Sequence, residues 1–311
     1  LGKIEVFLHN VRSIVGTRAW HRIASVRIED VKAVISRITG AAVRAFLVMV
    51  LVATPSVILP GIGADTKQMV VLVALFAGAL TFAEYSAVYP GLVEFRDAPP
   101  FNRVRYLMLF AIVFSLSVIC SAKASDAAFP RLFESLGLII GHGMDFPYSP
   151  VRLATLMMAE GASSEQVMAV RTAAGTAYIL SLMSLAFFVL IFKLRSWPGR
   201  RATFNVWVNL PTFEPTAGGD IVDRLERDAR VNLALGVLLP FLIPAMVNLA
   251  SIGFEPLTLT SPQTLIWTMT AWAFLPASLL MRGIAMGRIA AMIKHKREAN
   301  GSAPVGVIAP A

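Results

Sequence analysis

Charged positions along this chain are spaced so that six long uncharged stretches lie between them: Ala45 to Ala64, Gln68 to Ala83, Tyr106 to Ala122, Thr172 to Phe192, Val231 to Phe254 and Pro256 to Met281. About 20 apolar residues, at a helical rise of ~1.5 Å each, cross the ~30 Å of bilayer hydrocarbon, where every backbone N–H and C=O must be bonded within its own segment. Each stretch therefore seeds one crossing. The second is cut short by Glu84, and its apolar pattern resumes through Tyr85 and Val88 to Pro90. The pattern predicts an all-α integral membrane protein, a bundle of six transmembrane helices over about 45–62, 69–90, 105–122, 172–192, 231–252 and 264–284 inside a membrane domain of residues 43–293.

Three segments outside the spans have patterns of their own. Residues 1–42 read as a basic amphipathic helical arm of one or two helices. Ile4, Phe7, Leu8, Val11, Ile14 and Val15, then Val31, Val34, Ile35 and Ile38, recur at helical spacing. Such an arm suits the anionic surface of a membrane, or a protein partner. Between spans three and four, Leu132 to Ile140 is too short to cross, and Pro130, Gly137, Gly141 and Gly143 are expected to break it into a re-entrant or interfacial segment. Ser149 before Pro150 reads as a helix N-cap, and Ser163 with Gln166 as a capping box opening a helix near Ser164. Between spans four and five, Phe204, Val206, Val208 and Leu210 alternate as in an extended segment. From Asp220 a helix should run on into span five, with Asp220–Arg224, Asp223–Arg227 and Glu226–Arg230 spaced for ion pairs. Residues 294–311 form a tail.

Composition removes the competing classes. Hydrophobic residues make up 56% of the chain and charged residues 15%, against ~25% charged in soluble domains, which excludes a soluble enzyme, a disordered tail and a coiled coil. The net charge of +9 does not point to nucleic acid, because of where the charges fall. With the amino terminus inside, 23 of the 28 Lys and Arg residues lie on the inner side of the six-span layout. Both termini are therefore expected in the cytoplasm, in an inner membrane, with anionic headgroups as lipid partners. The single cysteine, Cys120, leaves no intrachain disulfide to form.

Candidate chemistry is sparse. Glu84 is the only carboxylate with apolar helix on both sides, either a proton or cation site or a structural carboxylate paired with Arg44 or Arg105, or bonded by Thr81. The stretch Tyr85 to Tyr106 is the densest polar and aromatic cluster. Its residues Tyr85, Tyr89, Glu94, Arg96, Asp97, Asn102 and Arg103 make either a docking loop for another subunit or a turn tied by its own ion pairs. Pro240 and Pro244 in span five and Pro276 in span six should kink their helices. With Asn248, they are where a carrier would place a substrate site. The small-residue series Ala173, Ala177, Ser181 and Gly283, Gly287 suit close helix contacts within the bundle or between subunits. No metal site and no cofactor are indicated: the four histidines lie outside the spans, and there is no phosphate loop, HExxH or GxSxG. The leading expectation is a non-catalytic subunit or assembly factor of a larger membrane complex. The alternative is a permease of a small solute or lipid, alone or with an ATPase partner, and the third a membrane-embedded lipid or isoprenoid transferase using Asp220 and Asp223.

Overall fold

The computed structural model describes residues 17–124, 126–158, 161–195, 197, 209–211, 213, 218–250, 259–299 and 301. Its helices, in chain order, are α1 (Thr17–Ile58), α2 (Ala64–Ser86), α3 (Phe101–Ser121), α4 (Ala128–Met144), α5 (Pro150–Thr155), α6 (Ser164–Arg195), α7 (Ile221–Ala250) and α8 (Pro262–Ala299). Six of these, α1, α2, α3, α6, α7 and α8, are long and apolar enough to cross a membrane, one for each uncharged stretch. No strand occurs among the described residues.

The caps written in the sequence form as read. Ser149 Oγ accepts the Arg152 N–H at 3.0 Å ahead of Pro150. Ser163 and Gln166 bond reciprocally at 2.9 and 3.2 Å, starting α6 at Ser164. Each exchange satisfies backbone donors that a helix start leaves without partners.

Helices α3, α6 and α8 enclose the core, where Ile112, Leu116, Phe188, Ile266, Met269 and Met281 are fully buried. Helix α7 lies along α8, and glycines set their separation. A Cβ on Gly283 would sit 2.9 Å from the Ala229 carbonyl oxygen, and one on Gly236 2.9 Å from that of Pro276. Gly283 thus serves a contact inside the bundle, and Ala173, Ala177 and Ser181 are buried within it as well. The α1–α2 hairpin stands to one side, with Gly78 against Met49, and joins the rest through α1 and α3. Val57, Leu72, Phe76, Met183, Phe187, Val237 and Leu249 are exposed on the outer faces of four spans. An apolar belt of this extent is stable only when hydrocarbon covers it, so the chain is an integral, multi-pass membrane protein.

Helices α7 and α8 run on through Pro240, Pro244 and Pro276. Pro244 has no N–H to offer the Pro240 carbonyl, and Trp272 of α8 donates its indole Nε1–H to that oxygen at 3.1 Å. The freed carbonyl is thereby used in packing.

Several expectations need correction. Helix α1 is continuous from Thr17, so over residues 17–42 the expected arm is an extension of the first span. Residues 1–16 lie outside the described residues. The second span ends at Ser86, short of Pro90. Pro130, Gly137, Gly141 and Gly143 do not break α4, which is a helix of 17 residues. Pro130 falls in its first turn, where the missing N–H costs nothing, while Gly137 and Gly141 face α6. Of the three i,i+4 ion pairs, only Glu226–Arg230 forms, at 3.8 Å. Arg227 turns to Asp228, and Arg224 lies over the Phe213 ring. Asp220 caps α7, accepting the Val222 N–H at 2.7 Å, and pairs with Arg297 at 2.8 Å. The Val222 N–H and then the Arg297 guanidinium hold its carboxyl below the usual aspartate value. Of the expected extended segment, residues 204–208 lie outside the described residues, and Leu210 is fully buried.

Candidate functional site

The polar chemistry gathers at one end of the bundle, where α1 and α8 carry their basic extensions and the loop from α2 to α3 folds back. Glu84 sits in the last turn of α2. Its carboxylate accepts the successive backbone N–H groups of Gly91, Leu92 and Val93 at 3.0, 2.9 and 3.1 Å. A carboxylate at a helix C-terminus is disfavoured by the helix dipole, and these three amides offset that. Arg96 completes the turn from the opposite sign, donating to the carbonyl oxygens of Glu84, Ala87 and Val88 at the end of α2. Neither Arg44 nor Arg105 pairs with Glu84, and the Thr81 hydroxyl donates to the Ala77 carbonyl instead. Glu84→Ala is expected to cost about 1–3 kcal/mol of stability and Glu84→Gln less, since Gln keeps one oxygen acceptor for those amides. Amide hydrogen exchange should rise at Gly91 to Val93 in both variants. Unchanged exchange there would show that the loop holds without the carboxylate.

The rest of the loop is tied to distant parts of the chain. Glu94 receives Nε and Nη2 of Arg282 at 2.6 and 2.8 Å, a two-pronged pair with side chains 11% and 25% exposed. Asn102 donates to the Glu94 carbonyl at 2.7 Å. Phe95 adopts φ +53°, a region bulky side chains avoid. It is held there by full burial of its ring against Phe101 and Trp197, and by its N–H bond to the Asn209 carbonyl at 2.6 Å. Asn209 also accepts the Asp97 N–H at 3.0 Å. Of the proposed docking residues, Tyr89, Asp97 and Arg103 are exposed, whereas Tyr85, Glu94, Arg96 and Asn102 face the chain's own structure.

Beneath this loop, between α1 and the start of α3, lies a cavity of about 1170 Å³. Arg44, Tyr85, Glu94, Asn102, Arg103 and Arg105 supply its polar lining, and Val43, Leu47, Val48 and Leu107 apolar walls. Arg44 lies 4.7 Å over the Tyr85 ring and donates to the Gly40 carbonyl. Arg105 lies 5.3 Å from the Phe101 ring and 5.8 Å from that of Phe274. Its Nε is buried without a hydrogen bond.

Asn248 is at the opposite end of the bundle, on the rim of a smaller cavity of about 340 Å³ with Pro244, Leu153 and Leu156. Glu84, Asn248 and the three prolines are thus not brought into one site. Sequence reasoning put Arg44 and Arg105 near Glu84 but missed the cavity they line. It also missed Arg282, read only as a cytoplasmic charge, and the anchoring roles of Phe95 and Asn209. The available signal was limited to placement: Arg44 and Arg105 each stand at the edge of an apolar stretch. Among the described residues no group of three or more His, Cys, Asp or Glu side chains forms a metal-binding cluster. No family model matches the chain, and neither does any curated protein or solved structure.

Proposed function

We propose that the protein takes an amphiphilic molecule of the bilayer into the cavity between α1 and α3, as a lipid-handling carrier or as a lipid-dependent membrane subunit. The observation that carries this reading is the cavity's two-sided lining. Its polar groups stand at the ends of the spans, while Val43, Leu47 and Leu107 belong to the cavity and are also exposed on the lipid-covered surface. A site whose walls continue into the hydrocarbon suits a molecule with one polar end and one apolar end. Its volume lies above the usual range for small-solute pockets, ~300–1000 Å³. The docking reading of the Tyr85 to Tyr106 loop has less support, because most of its polar groups are spent within the fold.

The distribution of charge supports an inner-membrane location with both termini cytoplasmic, the cavity then opening to the cytoplasmic leaflet. Native mass spectrometry of the protein released from nanodiscs tests the reading. One amphiphile per chain should be retained, and Leu107→Trp, which puts a bulky ring into the cavity's apolar wall, should lower retention. A protein that carries none, or that carries it equally with Leu107→Trp, would not be acting through this cavity. A second polypeptide retained in fixed ratio would favour the subunit form.

A further inference from the structure

We infer that the cavity recognises a phosphate group, read by the guanidinium groups of Arg44 and Arg105. The inference rests on the amphiphile reading above and adds the chemistry of the polar end.

The argument is one of unbalanced charge. Among the described residues neither Arg44 nor Arg105 has a carboxylate within ion-pair distance, and the two acids nearest to them in the loop are engaged. Glu84 binds three backbone amides. Glu94 lines the cavity and acts on Arg105 through its charge, yet both its oxygens are taken by Arg282. The cavity lining thus holds three guanidinium groups, those of Arg44, Arg103 and Arg105, and one carboxylate, Glu94, which is already paired with Arg282 outside it. Aromatic rings under Arg44 and Arg105 attract a cation without accepting its in-plane N–H groups; Arg44 gives one of these to the Gly40 carbonyl, and the Nε of Arg105 has no partner. A half-buried guanidinium with a buried, unbonded Nε is costly to keep unless an anion arrives from outside the chain. Arginine's fork of donors fits the oxygens of a phosphate, and Tyr85 and Asn102 stand in the same lining for its ester side. A zwitterionic headgroup is a poorer match, because its ammonium would enter the same positive field.

The phosphate has two possible sources, an anionic glycerophospholipid or phosphate in solution, and one experiment separates them. The full chain is reconstituted in nanodiscs of phosphatidylcholine with and without phosphatidylglycerol, and in neutral detergent with inorganic phosphate. Bound lipid is read by native mass spectrometry and phosphate by calorimetry. Phosphatidylglycerol should be retained at least tenfold over phosphatidylcholine. Arg105→Gln and Arg44→Gln should each lower that preference by about tenfold or more, the loss expected from one charged hydrogen bond. Arg105→Lys keeps the charge without the fork and should fall between. Melting of each variant shows whether it is folded, and Arg44→Gln provides the test if Arg105→Gln is not. Equal retention of both lipids, unmoved by any of these changes, overturns the phosphate inference and leaves the amphiphile reading intact. Inorganic phosphate bound through both arginines with no lipid retained supports the inference with a soluble source and overturns the amphiphile reading. No binding in any arm removes both.

Discussion

Replacing Gly175 by alanine is expected to lower stability by about 2–4 kcal/mol, and replacing it by valine to leave no folded protein. Helices α4 and α6 meet at Gly141 and Gly175. A Cβ on Gly175 would lie 2.6 Å from Gly141 Cα and 3.0 Å from its nitrogen. Those neighbours are backbone, so no side-chain rotation relieves the clash, and the helices must separate. Separation would also strip Gly137 from Thr172 and Thr176, and draw Asp145, at the end of α4, away from Arg171. Asp145 is buried between Arg152 and Arg171, with its side chain 5% exposed. Gly141→Ala should behave similarly, since its Cβ would meet the Arg171 carbonyl oxygen at 2.9 Å. Gly143 is the control, with nothing within 4 Å of its Cβ position, and Gly143→Ala should be neutral or stabilising by ~0.5 kcal/mol. Denaturant titration in mixed micelles measures all four variants. A Gly175→Ala protein as stable as Gly143→Ala would mean that the α4–α6 contact is looser than described.

These glycines show where sequence reading succeeds and where it fails. The six spans are legible because hydrocarbon imposes one rule on every segment, and the rule shows as uncharged runs of fixed minimum length. The caps at Ser149 and Ser163 are legible because both partners lie within three residues. Gly137 and Gly141 read locally as helix breakers, but their role depends on Gly175 and Thr172 in another helix, and no periodicity joins the two. Glu84 was recognisable as a residue in need of partners. Those partners are backbone amides seven to nine residues on, which have no signature in side-chain identity. The cavity was legible only as its raw materials, arginines at span edges. Its existence depends on how far the α1–α2 hairpin stands from the start of α3.

Glu94 and Arg282 should show an asymmetric loss on mutation. Removing one partner of a fully buried ion pair costs ~3–5 kcal/mol, and with side chains 11% and 25% exposed about 2–3 kcal/mol is expected for this one. The two halves differ in what they leave behind. Arg282→Met leaves Glu94 beside Arg105, whose charge already acts with it, so the carboxylate keeps a counter-ion. Glu94→Gln takes from Arg105 the carboxylate that acts on it and leaves Arg282 only the more distant charge of Asp228, and the loop also loses its tether to α8. Glu94→Gln should therefore be the more destabilising by ~1 kcal/mol. The double variant should fall short of the sum of the two, because the second change removes a charge the first had already stranded. Equilibrium unfolding of the three variants measures each difference. Equal losses that do not add would show that Arg282 alone neutralises Glu94 and that the charge of Arg105 is balanced elsewhere, and losses that add would show that the pair contributes no coupling.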